Sequence, residues 1–142
     1  MAGYMTKLQG RVYDGSHLAA EELQNGMFAE ITADGVKATA AAKDTVLRVA
    51  EKTALWGKEA LVLDVASTGA DEVFLVENEF DNAADANYDN AAYVIAKGEF
   101  VRMHRLLPGD QLIVNVGTDV YAAATIGATM APAAKGAVAA KG

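Results

Sequence analysis

The sequence predicts a mainly β fold, a small antiparallel barrel or sandwich with at most one or two short helices and extended terminal arms. Short apolar runs alternate with turn signals such as Asp34-Gly35 and Pro108-Gly109-Asp110, a pattern typical of all-β domains. Alanine-rich stretches lack large apolar side chains at helical spacing, so alanine's helix propensity carries little weight there. A chain of 142 residues suits one domain that buries about two thirds of its unfolded surface.

Three segments carry the clearest strand patterns. In residues 59–66 and 111–116, large apolar side chains alternate with smaller or polar ones, and residues 72–77 form an apolar run bounded by Glu72 and Glu77. Each segment has the length of a strand and is rich in β-branched residues, which favours a strand over a buried helix.

Two hairpins are predicted from glycine-containing turns. Asp34-Gly35 would join a strand at residues 27–32 to another at 36–39, because Asp-Gly suits the tight turns of hairpins. In residues 93–105, Lys97-Gly98 would join a second pair of strands. Glycine at the turn can adopt the positive φ that such a connection requires.

Two further segments have weaker patterns. Ser16 could cap a short helix over residues 17–24, with Gly26 just past its end. Residues 44–55 fit a helix face or a strand, and the alternation of β-branched and apolar residues from Thr45 to Val49 favours the strand.

The chain is divided into a domain and two arms. The sequence predicts an N-terminal arm at residues 1–13, a β-rich domain at residues 14–121 and, at residues 122–142, an Ala/Gly-rich C-terminal arm that cannot build a core alone. Such arms either gain order by packing on a neighbour or stay flexible. No apolar run approaches the roughly 18 residues of a membrane span, and no secretory signal is recognised at the start, so no membrane partner is expected.

Charge is distributed unevenly along the chain. The formal net charge is −7, and residues 59–96 hold nine acidic residues but no lysine or arginine. An acidic segment argues against nucleic-acid binding, which depends on basic side chains neutralising phosphates. The acids either form a solvated loop that aids solubility or complement a basic surface on a partner.

A candidate interaction site combines bases and acids from neighbouring parts of the sequence. Arg102 and Arg105 would form a basic patch on the second hairpin, either as a charged strand face that discourages edge pairing or as a contact for acids of a neighbouring subunit. The candidate acids are Glu77, Glu79 and Asp81. A head-to-tail contact of this kind builds rings or lattices.

Motifs for catalysis or cofactor binding are not found. There is no cysteine, and His17 and His104 are isolated, without the spacing of a zinc site. Neither a nucleophile elbow nor a phosphate-binding glycine loop occurs. We therefore expect that the protein is not an enzyme and has no cofactor.

One metal site remains open on the sequence. Asp85, Asn87 and Asp89 have the spacing of the first three ligands of a calcium loop. An EF-hand also needs glycine at its sixth position and glutamate at its twelfth, and Asn90 and Ala96 stand there. The segment is either a looser calcium site or a solvated, turn-rich loop.

Several segments together resemble a known family. The strand that begins Gly98-Glu-Phe-Val, the turn Leu-Leu-Pro-Gly-Asp110, the segment Val116-Gly-Thr-Asp-Val-Tyr121 and the upstream Leu23-Gln-Asn-Gly-Met-Phe28 resemble tailed-bacteriophage capsid decoration (cement) proteins. The resemblance implies a β-rich protein of the virion, assembled in the host cytoplasm, that binds the outer surface of the head and stabilises the shell. It implies the major capsid protein and further copies of the chain as partners, and it implies no catalytic residues.

Two other functions stay open. A tail or neck structural protein would belong to the same class, whereas a small-ligand- or calcium-binding β-barrel, such as a cupin-like module, would belong to a different one. Cupins place several histidines and a glutamate inside the barrel, and two scattered histidines do not meet that pattern.

Overall fold

The chain folds mainly as β-strands that form a sandwich-like arrangement of antiparallel sheets, as the sequence predicts. The computed structural model describes residues 2–8, 13–78 and 93–141. Within those ranges neither large sheet closes into a barrel, and there is a single α-helix, α1 (Thr118–Ala123). One 3-10 turn follows at Ala134–Gly136.

In the described ranges, thirteen strands build three sheets. In chain order the strands are β1 (Gly3–Lys7), β2 (Tyr13–Leu18), β3 (Leu23–Gln24), β4 (Phe28–Thr32), β5 (Gly35–Ala38), β6 (Val46–Leu55), β7 (Lys58–Ser67), β8 (Phe74–Val76), β9 (Val94–Ile95), β10 (Phe100–Arg105), β11 (Gln111–Asn115), β12 (Thr129–Pro132) and β13 (Val138–Ala140). The six-stranded sheet has the order β1-β11-β7-β6-β12-β13, the five-stranded sheet β2-β10-β8-β4-β5, and β3 pairs with β9 in a two-stranded ribbon.

The main core lies between the two large sheets. The predicted alternation in β7 and β11 turns one set of side chains inward, so that Leu63 lies opposite Leu112 in the register of the two strands. The largest buried members of this core are Phe28, Leu47, Val49, Leu61, Leu63, Leu75, Leu106, Leu112 and Met130. This core joins the two large sheets.

A second core lies on the other side of the five-stranded sheet. Leu75 of β8 points into the main core, whereas its neighbours Phe74 and Val76 point into the second. The β3–β9 ribbon covers this second core with Leu23 and Ile95, both fully buried. Because β8 is buried on both faces, its sequence is a continuous apolar run rather than an alternating one.

The structure confirms one predicted hairpin and corrects the other. β4 and β5 form an antiparallel hairpin across Asp34-Gly35. At Lys97-Gly98 the glycine has a φ of +89°, as a tight turn requires. The strands on either side of that turn do not pair with each other, however, because β9 pairs with β3 while β10 pairs with β2 and β8. The second predicted hairpin is therefore wrong.

The helix predicted over residues 17–24 is also wrong. This segment contains the end of β2 and the whole of β3. Instead of capping a helix, Ser16 donates its backbone N–H to the Asp14 carboxylate at 3.0 Å. The segment buries Leu23 in the core but has no apolar stripe at helical spacing. Its structure is therefore set by the pairing of β3 with the distant strand β9. Residues 46–55 of the ambiguous segment form β6, which confirms the strand.

Both segments predicted as arms contribute strands to the six-stranded sheet. β1 forms one edge of this sheet, and β12 with β13 forms the other. Ala2 and Gly3 are buried beside β11, and Met130 and Val138 belong to the main core. The small side chains of these segments permit close packing of the sheet edges within the same chain.

Asp44 connects two loops at one end of the sandwich. Its carboxylate accepts hydrogen bonds from the backbone N–H groups of Ala70, at 2.9 Å, and Asp71, at 3.4 Å. Desolvation acts to raise the pKa of Asp44, but these backbone hydrogen bonds outweigh it and hold the pKa below its ordinary value of 3.8. The ionised carboxylate therefore stabilises the folded loops.

The substitution Asp44→Asn should weaken the fold at neutral pH and reduce the loss of stability in acid. Because the pKa of Asp44 is lower in the folded chain than in the unfolded chain, its contribution is present above the unfolded pKa of 3.8 and is lost as the pH falls from there through the folded pKa. Urea unfolding of wild type and variant from about pH 7 to about pH 2.5 measures this. Identical pH profiles for the two proteins would contradict the assignment, and Asp34→Asn at an exposed turn is the matched control.

The substitution Leu75→Ala should lower the free energy of unfolding by about 2–5 kcal/mol, because it opens a cavity in the strand shared by both cores. Chemical denaturation measures the loss. Ile31→Ala on neighbouring β4, where the side chain is exposed, should cost about 1 kcal/mol or less. Equal losses at the two positions would show that β8 is not central to the packing.

Candidate interaction site

The two faces of β10 differ in exposure. Val101 and Met103 are fully buried in the second core. Because side chains alternate along a strand, Phe100 and Arg102 project to the opposite face, where both are exposed. Phe100 is 61% exposed, which is unusual for a phenylalanine held in a regular strand.

The neighbouring strand extends this exposed surface. Leu18 of β2 lies directly opposite Phe100 in the register, so the two side chains share a face. Leu18 is 46% exposed. We call the surface formed by Leu18, Phe100 and Arg102 the β2–β10 face.

Basic side chains lie beside this face. A shallow depression next to Leu18 is lined by Lys37 and Lys97 together with Asp34 and backbone of the adjoining turn. Asp34 lies 3.6 Å from the Lys37 ammonium. Together with Arg102, these lysines surround Leu18 and Phe100 with cationic groups. Such a surface would suit a partner that carries acidic residues at the contact.

Asn78 fixes the backbone of β10 under the β2–β10 face. The Arg102 backbone N–H donates to Asn78 Oδ1 at 2.6 Å, and Asn78 Nδ2 donates to the Phe100 carbonyl at 3.2 Å. The Asn78 side chain thereby continues the hydrogen bonding between β8 and β10 past the end of β8. The positions of Phe100 and Arg102 are thereby set by hydrogen bonds rather than by side-chain packing alone.

Asn78 is itself held by buried Asn25. The Asn78 backbone N–H donates to Asn25 Oδ1 at 2.6 Å, and Asn25 Nδ2 donates to the Asn78 carbonyl at 3.0 Å. The sequence marks Asn25-Gly26 only as a turn. Its contact with a residue 53 positions away has no local sequence signal, so sequence reasoning missed both asparagines.

Glu77 links the two large sheets. One of its carboxylate oxygens lies 3.3 Å from His104 Nε2 on β10 and accepts the backbone N–H of Met5 on β1 at 3.2 Å. Both partners lie within the same chain. The predicted contact of Glu77 with a neighbouring subunit would have to compete with this intramolecular link.

The predicted basic patch is divided between two faces. Arg102 and Arg105 are three positions apart on β10, so their side chains project to opposite sides. The Arg105 guanidinium lies 3.5 Å from the Glu72 carboxylate in its own chain. Arg102 alone belongs to the β2–β10 face. The alternation that separates the two arginines was visible in the sequence.

The remaining predicted site residues lie outside the described residues. These are the interaction candidates Glu79 and Asp81 and the calcium candidates Asp85, Asn87 and Asp89. In the part of the chain that is described, no group of three or more acidic or histidine side chains could hold a metal ion.

His17 has an acidic partner in its own strand. His17 Nδ1 lies 2.9 Å from the Asp14 carboxylate. Desolvation acts to raise the pKa of Asp14, but the hydrogen bonds from His17 and from Ser16, together with the charge interaction with His17, outweigh it, and the pKa lies below its ordinary value. This contact lies in β2, at an edge of the five-stranded sheet, and gives His17 a structural partner.

Comparisons with known proteins add no identification. The chain matches no family model, no curated protein and no solved structure. Among the helical residues of the described ranges, no segment is long and apolar enough to cross a membrane.

The substitution Asn25→Ala should loosen β10 as well as destabilise the fold. It removes both side-chain hydrogen bonds to Asn78 from a buried position, which should cost about 1–3 kcal/mol. Hydrogen exchange should show faster exchange of the Arg102 amide, which depends on Asn78. Unchanged exchange at Arg102, with Asn25→Ala folded, would show that the asparagine pair does not fix the β2–β10 face.

Proposed function

We propose that this chain is a capsid decoration protein, a structural protein of the virion that binds the outer surface of a tailed-phage head and stabilises the shell. The observation that carries the proposal is the β2–β10 face, where Phe100, Leu18 and Arg102 are exposed on paired strands. Aromatic residues and arginine are enriched where proteins bind each other, and truncation of such anchors causes the largest losses of affinity.

The family resemblance covers part of this face. The strand that begins Gly98-Glu-Phe-Val becomes β10, including Phe100 and Arg102. The surface that supports binding therefore lies in a segment on which the resemblance rests.

The Pro108-Gly109-Asp110 turn of the resemblance has a structural role. Buried Asp110 accepts the Leu107 backbone N–H at 2.9 Å through its carboxylate, and its carbonyl accepts the Val65 N–H at 2.8 Å. The turn thereby fastens the connection between β10 and β11 to β7 of the six-stranded sheet. It fixes the orientation of β10 relative to the rest of the sandwich.

Shell stabilisation follows from linkage. A protein that binds the assembled shell but not its dissociated subunits stabilises the shell by RT ln(1 + [L]/Kd) at each site. At a concentration about 100 times Kd this amounts to about 2.7 kcal/mol. Because the same contact is repeated at many sites of the shell, moderate affinity at each site is sufficient to stabilise the whole shell. One small binding face on a rigid domain can therefore stabilise it.

Co-sedimentation with empty heads tests the proposal. The heads would be assembled from a major capsid protein encoded beside the gene for this chain, and the absence of such a neighbouring gene would contradict the proposal. Wild-type protein should sediment with the heads and raise their heat resistance. Failure of the folded wild type to bind, under low-salt conditions that favour charge contacts, would contradict the proposal.

The two arginines of β10 provide a matched pair for locating the binding face. Phe100→Ala should weaken head binding about tenfold or more, equivalent to about 1.4 kcal/mol, and Arg102→Glu should weaken it most at low salt. Arg105→Glu changes the same charge on the opposite face and should bind as wild type does. Equal effects of Arg102→Glu and Arg105→Glu would exclude the β2–β10 face as the contact surface.

A further inference from the structure

The turn between β6 and β7 has an unusual residue at its tip. Trp56 and Gly57 have φ values of +54° and +75°, so both central residues adopt the left-handed region of a type I′ turn. Asparagine, aspartate or glycine normally occupies the first of these positions. A tryptophan is strained there, and retained strain of this kind is a reason to look for a function.

Trp56 is also exposed at a projecting point. The only tryptophan of the sequence is 52% exposed, and a Cβ added at Gly57 would meet no atom within 4 Å. Nothing in the described part of the chain covers this tip. A large aromatic side chain in this position offers apolar area to a partner.

A buried amide holds the hairpin tip in place. Asn115 Nδ2 donates to the Leu55 carbonyl at 3.0 Å and lies 3.3 Å from the Glu59 carbonyl. These carbonyls flank the turn on its two strands. Trp56 therefore projects from a rigid base, which lowers the entropy that would be lost on binding.

An apolar groove elsewhere on the surface has the size for one such side chain. It lies between α1 and the β12–β13 pair and has a volume of about 270 Å³. Small-molecule sites are larger, roughly 300–1,000 Å³, and contain several convergent polar groups. The apolar lining residues are Val120, Ala123, Ala124, Ala128, Met130, Ala139 and Ala140.

Charge and exposure make the tip and the groove complementary. Lys58 is exposed two positions after Trp56, and Asp119 is exposed at the rim of the groove. Ile126, in the turn that leads to the groove residue Ala128, is 64% exposed and enlarges the apolar surface there. We call the tip with Trp56 and Lys58 the knob. The knob of one copy is aromatic and cationic, whereas the groove of another copy is apolar and has an acidic rim.

We propose that Trp56 of one copy inserts into the α1–β12–β13 groove of a second copy, with Lys58 facing Asp119. Knob and groove are different surfaces, so each copy can be donor and receptor at once, and the contact is head-to-tail. It closes into a ring where the rotation between copies permits. The contact requires no shell, so its test is independent of whether the chain decorates a head.

The wild-type protein reports on this contact through its single tryptophan. With rising protein concentration, the mass measured by light scattering should increase and the Trp56 emission should shift to the blue as the indole leaves water. Trp56→Asn, which suits the type I′ turn, should keep the circular dichroism spectrum and stay monomeric. Ile31→Ala, which removes exposed apolar area elsewhere, should associate as wild type does.

A mixing experiment distinguishes this contact from any other self-association. Ala123→Leu fills the groove at an exposed helix position and should be monomeric by itself. When mixed, Trp56→Asn supplies an intact groove and Ala123→Leu an intact knob, so the two should form one heterodimer that cannot extend further.

Three results would overturn the proposal. They are a wild type that stays monomeric at high concentration, single variants that still associate, and a mixture of folded variants that remains monomeric. A double charge exchange, Lys58→Asp with Asp119→Lys, should restore association that either single change weakens about tenfold. Because no head is present in these measurements, they are unaffected by a failure of head binding.

Discussion

The burial of β8 on both faces is the constraint on which the rest of the structure depends. Leu75 packs between the two large sheets, and Phe74 and Val76 pack under the β3–β9 ribbon. β10 lies beside β8 and must turn Val101 and Met103 into the second core. Strict alternation then places Phe100 and Arg102 on the opposite face, so the candidate site follows from the packing of its neighbour.

Buried asparagines fix the backbone near two exposed aromatic residues, Phe100 and Trp56. Asn25 acts through Asn78 on the backbone at Phe100, and Asn115 acts on the carbonyls beside Trp56. A buried amide needs hydrogen-bond partners; Asn25 finds them in the backbone of Asn78, and Asn115 in the carbonyls that flank Trp56. Rigid presentation lowers the ordering cost of binding, which is useful in a protein whose proposed function is assembly.

The sequence predicts strands well where one face or both faces are buried. Alternation in β7 and β11, the apolar run of β8 and the Asp34-Gly35 turn correspond to observed elements. Pairings between distant strands, such as that of β3 with β9, could not be predicted, because they have no local turn signal. The same limit explains the helix wrongly predicted over residues 17–24, since its short strand is stabilised by a distant partner. The candidate site was predictable at Arg102 but not at Asn25 or Asn78, whose roles depend on long-range hydrogen bonds.

The orientation of the chain on a phage head is the sharpest test of the proposed function and of the proposed contact between copies. A cryo-electron microscopy map of decorated heads would show which surface meets the shell. We expect Leu18, Phe100 and Arg102 to lie against the major capsid protein, with the β6–β7 tip directed at a neighbouring copy. A map in which the β2–β10 face points to solvent, or in which the chain is not present on the head, would contradict the proposed function.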